Sequence, residues 1–168
     1  VTAVSPARGP LVVDAAVPLV QHPRHLAALT SALTEGGVGM VMPTVASIED
    51  LATVTATLGA WQSFERQPPA GARLARTVRD VRRAQSRGEL AVVLHVQGLH
   101  AIAGDPDRLE LYASAGVRVA QLTYNYRNLL ADGCLEESNA GLSKAGREVV
   151  ARLNTLQMVP DISHTGEV

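Results

Sequence analysis

Few residues in this chain can do chemistry. Its five histidines are His22, His25, His95, His100 and His164, and its one cysteine is Cys134. His164 stands near the end, in "VPDISHTGEV", residues 159–168, just after Asp161 and Ser163. An imidazole there reads either as a metal ligand or as a histidine satisfied by hydrogen bonds. His95 and Gln97 share strand parity and so a face, and His100 follows in the loop beyond. A metal site assembled from His95, His100 and His164 is one arrangement these positions permit, although it comes without the second shell that orients metal-bound imidazoles. His22 and His25 flank Pro23 at a helix start and read as surface residues. The stretch "LTYNYRNLLADG", residues 122–133, gathers Tyr124, Asn125, Asn128 and Asp132. A tyrosine there can donate to a carbonyl oxygen or simply pack at a rim, and the Asn and Asp side chains suit Asx-type turns.

Such residues act only where a scaffold holds them. Five apolar, β-branched runs predict strands at 11–17, 38–45, 90–96, 117–124 and 158–163. Their near-continuous apolarity is that of strands buried on both faces of a parallel sheet. Helical spacing lies between them. "PRHLAALTSALTEGG" has Leu26, Leu29 and Leu33 on one stripe, Pro23 in the first turn and Gly36 past the end. "SIEDLATVTATLGAW" opens with Ser47 as N-cap and Asp50 three residues on. "ARLARTVRDVRRAQSRG" groups Leu74, Val78 and Val81 and stops at Gly88, and "DPDRLELYASAGV" runs from Asp105 to Gly116. The fifth helix begins after Ser143 as N-cap. "FERQPPAGA", residues 64–72, reads as a loop. The charged stretch "RDVRRAQSR" and the pair Arg147 and Glu148 read as solvated faces.

Strand followed by helix throughout predicts right-handed βαβ units in an α/β fold. No GxGxxG or GxxxxGK[ST] follows the first strand, which favours a partial (β/α)8 TIM-type barrel over an open nucleotide-binding sheet. The length of 168 residues suits a single domain, 1–168. A formal net charge of −1, from 15 basic and 16 acidic side chains, leaves no electrostatic footprint for nucleic acid or anionic lipid. No apolar run is long enough for a transmembrane helix. The start "VTAVSPARGP" lacks the order of a signal peptide, and one cysteine fits a reducing compartment; a cytoplasmic location is the expectation.

The segment 115–167 resembles the membrane dipeptidase (renal dipeptidase) family. The resemblance rests on Leu122 to Asn125, Asn128, Asp132 and Gly133, Gly141 to Ser143, Gly146, Val149, Val150, Asn154 and Asp161 to His164. It weakens through "LAVVLHVQGLHAI", "GGVGMVMPTV" and "HPRHLAAL" but covers nearly the whole chain. It implies the first half of a (β/α)8 barrel and a zinc-dependent metallopeptidase that cleaves dipeptides or similar small amides. In that family two zinc ions at the barrel mouth activate a bridging hydroxide.

Carried over by residue, the resemblance makes His164 a zinc ligand. It makes Tyr124 the equivalent of a substrate-contacting histidine, with Asn125 beside it as a substrate contact. The remaining first-half ligands are replaced: Ala16 stands for a histidine, Pro18 for an aspartate and Gln97 for a bridging glutamate. Ala and Pro offer zinc no side-chain donor, and Gln is a poor bridge. The expectation is therefore a dipeptidase relative with weak or absent zinc and impaired hydrolysis, or a non-catalytic relative acting as a binding or partner subunit. The open edges of a half barrel further predict a homodimer, or pairing with a complementary barrel half.

Overall fold

The computed structural model describes residues 10–18 and 20–167. In chain order they form β1 (Val12–Val17), α1 (Pro23–Glu35), β2 (Val38–Ala46), α2 (Leu51–Arg66), β3 (Ala72–Leu74), α3 (Val78–Ser86), β4 (Leu90–Val92) and β5 (Leu94–Val96). Two 3-10 turns at His100–Ile102 and Pro106–Arg108 lead into α4 (Leu109–Ala115), and β6 (Val117–Gln121), α5 (Lys144–Thr155) and β7 (Val159–Asp161) complete the chain.

Every strand pairing within the sheet is parallel. β4 and β5 are two pieces of one run broken at Val93, and β2 pairs with both. Apart from β3, the strands therefore follow one another in sequence order, β1, β2, β4 with β5, β6, β7, as the βαβ pattern predicts. Among the described residues β1 pairs only with β2, and β7 only with β6.

The main core lies between this sheet and α1, α2, α4 and α5. Val41, Val45, Leu90, Val92, Leu94 and Val96 meet Leu26, Trp61, Tyr112 and Leu153, all at most 3% exposed. Burying one such side chain contributes about 1.5–3 kcal/mol. Trp61 also donates its indole N–H to the Gln21 carbonyl at 2.8 Å, tying α2 to the segment after β1.

Several expected boundaries need correction: α2 runs on to Arg66, into the stretch 64–72 read as a loop, and α4 begins at Leu109 after a 3-10 turn. Residues 72–74, placed in a helix by the spacing of Leu74, Val78 and Val81, form β3 instead, and α3 begins only at Val78. Its true start is marked by Thr77, which accepts from the Asp80 N–H while the Asp80 side chain answers the Thr77 N–H. A capping box outweighs apolar spacing that happens to continue upstream. Likewise α2 is capped by Asp50, which accepts from Thr53 N–H at 2.8 Å, and not by Ser47.

α3 also departs from the other helices. Its Ala84 and Val81 pack with Met42, Ala91 and Val93, the strand positions alternate to those of the main core. The cause is topological. β3 pairs with β4 on the side away from β2, so the step from β3 to β4 runs against the direction of the rest of the sheet. A right-handed crossover taken in the opposite direction puts its helix on the opposite face. α3 thus covers the early part of the concave face and leaves the carboxyl ends of the strands for the site.

Candidate functional site

Beyond the carboxyl ends of β6 and β7 the chain is held by local polar bonds. Asn128 donates to the Leu122 carbonyl at 2.8 Å and accepts from Leu130 N–H at 2.8 Å, closing the loop on itself. Asp132, 4% exposed, accepts from Ala140 N–H at 2.7 Å and pairs with Arg127. The Arg127 guanidinium, foremost, holds its carboxyl below the usual range. These are turn-building roles, as the Asx reading expects, and Arg127 is the partner that reading omitted. Nothing in the spacing of Arg127 set it apart from other surface arginines.

The segment after β7 docks onto this loop. Cys134 N–H donates to the His164 carbonyl at 2.9 Å, and the Thr123 hydroxyl reaches the same oxygen at 3.1 Å. Gly133 bridges Thr165. A Cβ on Gly133 would stand 2.2 Å from the Asn125 carbonyl oxygen, so only glycine permits this approach.

Tyr124, Asn125 and His164, far apart in sequence, come together here. The Asn125 Oδ1 lies 2.6 Å from His164 Nδ1. The Tyr124 ring lies over the His164 ring at 4.9 Å with a 33° tilt. All three residues are half-buried. Asn125 and His164 both have left-handed backbones, φ 63° and 59°, a conformation uncommon outside glycine in which Asn and His are enriched among the other residues.

The other sequence-derived positions fall elsewhere. Ala16 lies exposed on β1 and Pro18 exposed just past it. Gln97 follows β5, its backbone carbonyl accepting from Gln121 Nε2 at 3.0 Å. Gly98 lets that turn pass close to β2, since a Cβ there would sit 2.5 Å from the Ser47 carbonyl oxygen. His100 opens a 3-10 turn, with Nδ1 buried and unpartnered among the described residues. His22 caps α1 through Nδ1, which accepts from Arg24 N–H at 3.2 Å, and His25 is exposed.

His95 is 2% exposed on the concave face, beside Thr44, its register partner on β2. Its Nε2 stands 3.4 Å from Asp161 Oδ2. Burial pushes its pKa below 6.5, while Asp161 opposes that shift. Sequence parity placed His95 on this face but gave no sign of its acidic neighbour two strands away.

Two cavities flank the mouth and the floor. One of about 370 Å³ is lined by Leu99, His100, Gly104, Arg127 and Leu129. The other, about 360 Å³ and mainly apolar, lies at the opposite end between α3 and Met40, Val93, Val119 and Val159. Neither is lined by His164 or Tyr124.

The described residues do not by themselves supply the donors of a dinuclear metal centre. Ala16 and Pro18 carry no donor, Gln97 is neutral, and no group of three His, Cys, Asp or Glu side chains able to hold a metal ion occurs among the described residues. His164 alone leaves most of an ion's coordination unfilled.

Residues 20–168 match the family "Membrane dipeptidase (Peptidase family M19)". An uncharacterized dipeptidase of Schizosaccharomyces pombe is 41% identical over 81 residues, which is 47% of this chain and 20% of that protein. Dipeptidase aclJ of Aspergillus oryzae is 40% identical over 82 residues, 48% of this chain and 19% of its own. Among solved structures, an amidohydrolase from Pseudomonas aeruginosa superposes with a TM-score of 0.83 at 26% identity, over 94% of this chain and 47% of that one. A Rhodobacter sphaeroides metallopeptidase, solved with a phosphinate mimic of the dipeptide L-Ala-D-Ala, gives 0.79 at 20% identity, over 94% and 59%. The chain thus spans about half the length of these solved neighbours.

Proposed function

This chain belongs to the membrane dipeptidase family, peptidase family M19, and from that premise we propose that it forms, as one domain, the first half of a dipeptide-handling barrel whose hydrolytic capacity is impaired. The observation that carries the reading is the identity of three residues at the carboxyl ends of β1 and β5: Ala16 and Pro18 at β1 and Gln97 at β5, where the family resemblance expects His, Asp and Glu. With them goes the negative charge that would offset two dications. His164 lies together with Tyr124 and Asn125 beyond the carboxyl ends of β6 and β7, which supports a role for it there. A small amide such as a dipeptide is the ligand class, because a relative of the same fold was solved with a dipeptide mimic. Hydrolysis of that ligand would require a metal, zinc by resemblance, held mainly by residues other than those described here.

A second reading is supported by the outer edges of β1 and β7, which have no strand partner among the described residues. In it the chain serves as a binding or partner subunit, completed by a complementary half or a second copy. The absence of a strong charge imbalance argues against a nucleic-acid partner, and no helix among the described residues is long and apolar enough to cross a membrane.

Elemental analysis and a dipeptide hydrolysis assay on the unmodified chain test the proposal. The expected result is substoichiometric zinc and no turnover. Two tightly held zinc ions per chain, or turnover abolished by a chelator, would mean that the ligands lie elsewhere in these residues.

A further inference from the structure

We infer that Asn125 is a positioning residue that locks the His164 ring in one tautomer, with the proton on Nδ1 and a bare electron pair on Nε2. The argument starts from the 2.6 Å separation between Asn125 Oδ1 and His164 Nδ1. A carbonyl oxygen can only accept, so the ring nitrogen facing it carries the hydrogen. The neutral imidazole then has its lone pair on the other nitrogen. That nitrogen makes no hydrogen bond among the described residues and is not one of the buried, unpartnered polar atoms. It is left open to a partner at the mouth.

The surrounding bonds show why this contact orients a ring and is not needed to close a loop. His164 is fixed through its carbonyl by Cys134 N–H and the Thr123 hydroxyl. Asn125 is fixed through its own carbonyl, which accepts from Leu135 N–H at 2.9 Å. Both backbones are therefore pinned without the side-chain bond. What the backbone ties leave free is rotation of the imidazole, and Asn125 on one edge and Tyr124 over one face restrain that rotation. Asn is suited to the position twice over, since it tolerates φ 63° and supplies the acceptor. This assigns Asn125 to His164 in place of the substrate contact expected from the sequence. The inference concerns one ring and stands whether or not the chain handles dipeptides.

Long-range ¹H–¹⁵N correlation of the His164 ring in the labelled chain, above the ordinary imidazole pKa range, reads the tautomer directly. The expected spectrum has a protonated Nδ1 and an unprotonated Nε2. Asn125→Asp, which keeps an acceptor, retains that pattern. Asn125→Gly, which keeps the left-handed backbone and removes the acceptor, loses the Nδ1–H signature in favour of Nε2–H. An unprotonated Nδ1 in the native chain, with the Asn125 amide donating, overturns the inference, as does an unchanged ring in a folded Asn125→Gly chain. Should the glycine variant unfold, as the amide shifts of Cys134 and Thr165 would show, the native spectrum decides alone.

Discussion

His95 Nε2 faces Asp161 Oδ2 at 3.4 Å across the concave side of the sheet, from β5 to β7 with β6 between them. The contact sets a carboxylate beside the ring without an aimed hydrogen bond: neither ring nitrogen of His95, nor the hydroxyl of Thr44 beside it, has a hydrogen-bond partner among the described residues. Asp161 spends its other oxygen on Ser163 N–H at 2.8 Å. A buried imidazole in this setting favours the neutral form, because desolvation outweighs the attraction of the carboxylate.

That balance predicts a pH dependence. The folded pKa of His95 lies below the unfolded value of 6.5, so between the two the unfolded chain binds more protons. Stability is full above about 6.5 and declines as pH falls toward the depressed folded value. Urea midpoints measured from pH 7 down to 5 should decrease, and His95→Gln should make the decrease shallower. His22, also depressed by burial, adds a contribution of the same sign, so the slope should shrink without vanishing. An identical slope in the variant would rule out His95 as a contributor.

Gly146 offers a test whose sign runs against helix propensity. Alanine within a helix is ordinarily favoured over glycine by about 1 kcal/mol. In the first turn of α5, however, a Cβ at position 146 would stand 2.1 Å from the Leu130 carbonyl oxygen. Gly146→Ala should therefore destabilise the chain by about 1–3 kcal/mol, the usual cost of overpacking. A thermal melt showing stabilisation would mean that the 129–131 segment yields freely.

Trp61→Phe removes the indole donor to the Gln21 carbonyl while keeping an aromatic ring in the core. The expected cost is about 1–3 kcal/mol, from the lost hydrogen bond and the acceptor left behind. Chemical denaturation reads it, and a change within error of zero would show that the bond does not hold α2 to the segment after β1.

The edge strand β7 carries Val159 at 58% exposure. An unpaired apolar edge promotes self-association, and a lysine on it opposes pairing. Light scattering over a concentration series should show association of the native chain that Val159→Lys reduces. A native chain that stays monomeric at every concentration would count against the partner-subunit reading.

Restoring donors at Ala16→His, Pro18→Asp and Gln97→Glu together should raise zinc affinity, by calorimetric titration, above that of the native chain. No gain would indicate that these three positions do not converge.

Much of this architecture was legible because its signals are local. Val and Leu runs such as 90–96 announce buried strands, and Ser143, with Gly146 N–H on its hydroxyl at 2.9 Å, starts α5 where an N-cap should. The His164 neighbourhood was legible only through resemblance, since Tyr124 and Asn125 lie 39 or more residues away from it and no periodicity links them. β3 was hidden because three residues carry too little pattern to compete with the helical spacing that follows. The His95 and Asp161 pairing was hidden because register between non-adjacent strands depends on the bulge between Leu94 and His95, which sequence does not mark.

The small unit of β3, α3 and β4 has a kinetic consequence. Arg73 and Glu89, 16 residues apart, are joined by an ion pair, and Ala72 and Leu74 pair with Leu90 and Val92. Met40 must instead find Ala91 across a far longer stretch of chain. Closing a short loop costs less conformational entropy than closing a long one, and local contacts speed folding. The hypothesis is that residues 72–92 assemble early and present β4 as a ready template on which β2, and then β1, zip up. Ala84→Gly in α3 should accordingly slow refolding, whereas Val13→Ala on β1 should chiefly speed unfolding; stopped-flow rates showing the reverse would place the nucleus elsewhere.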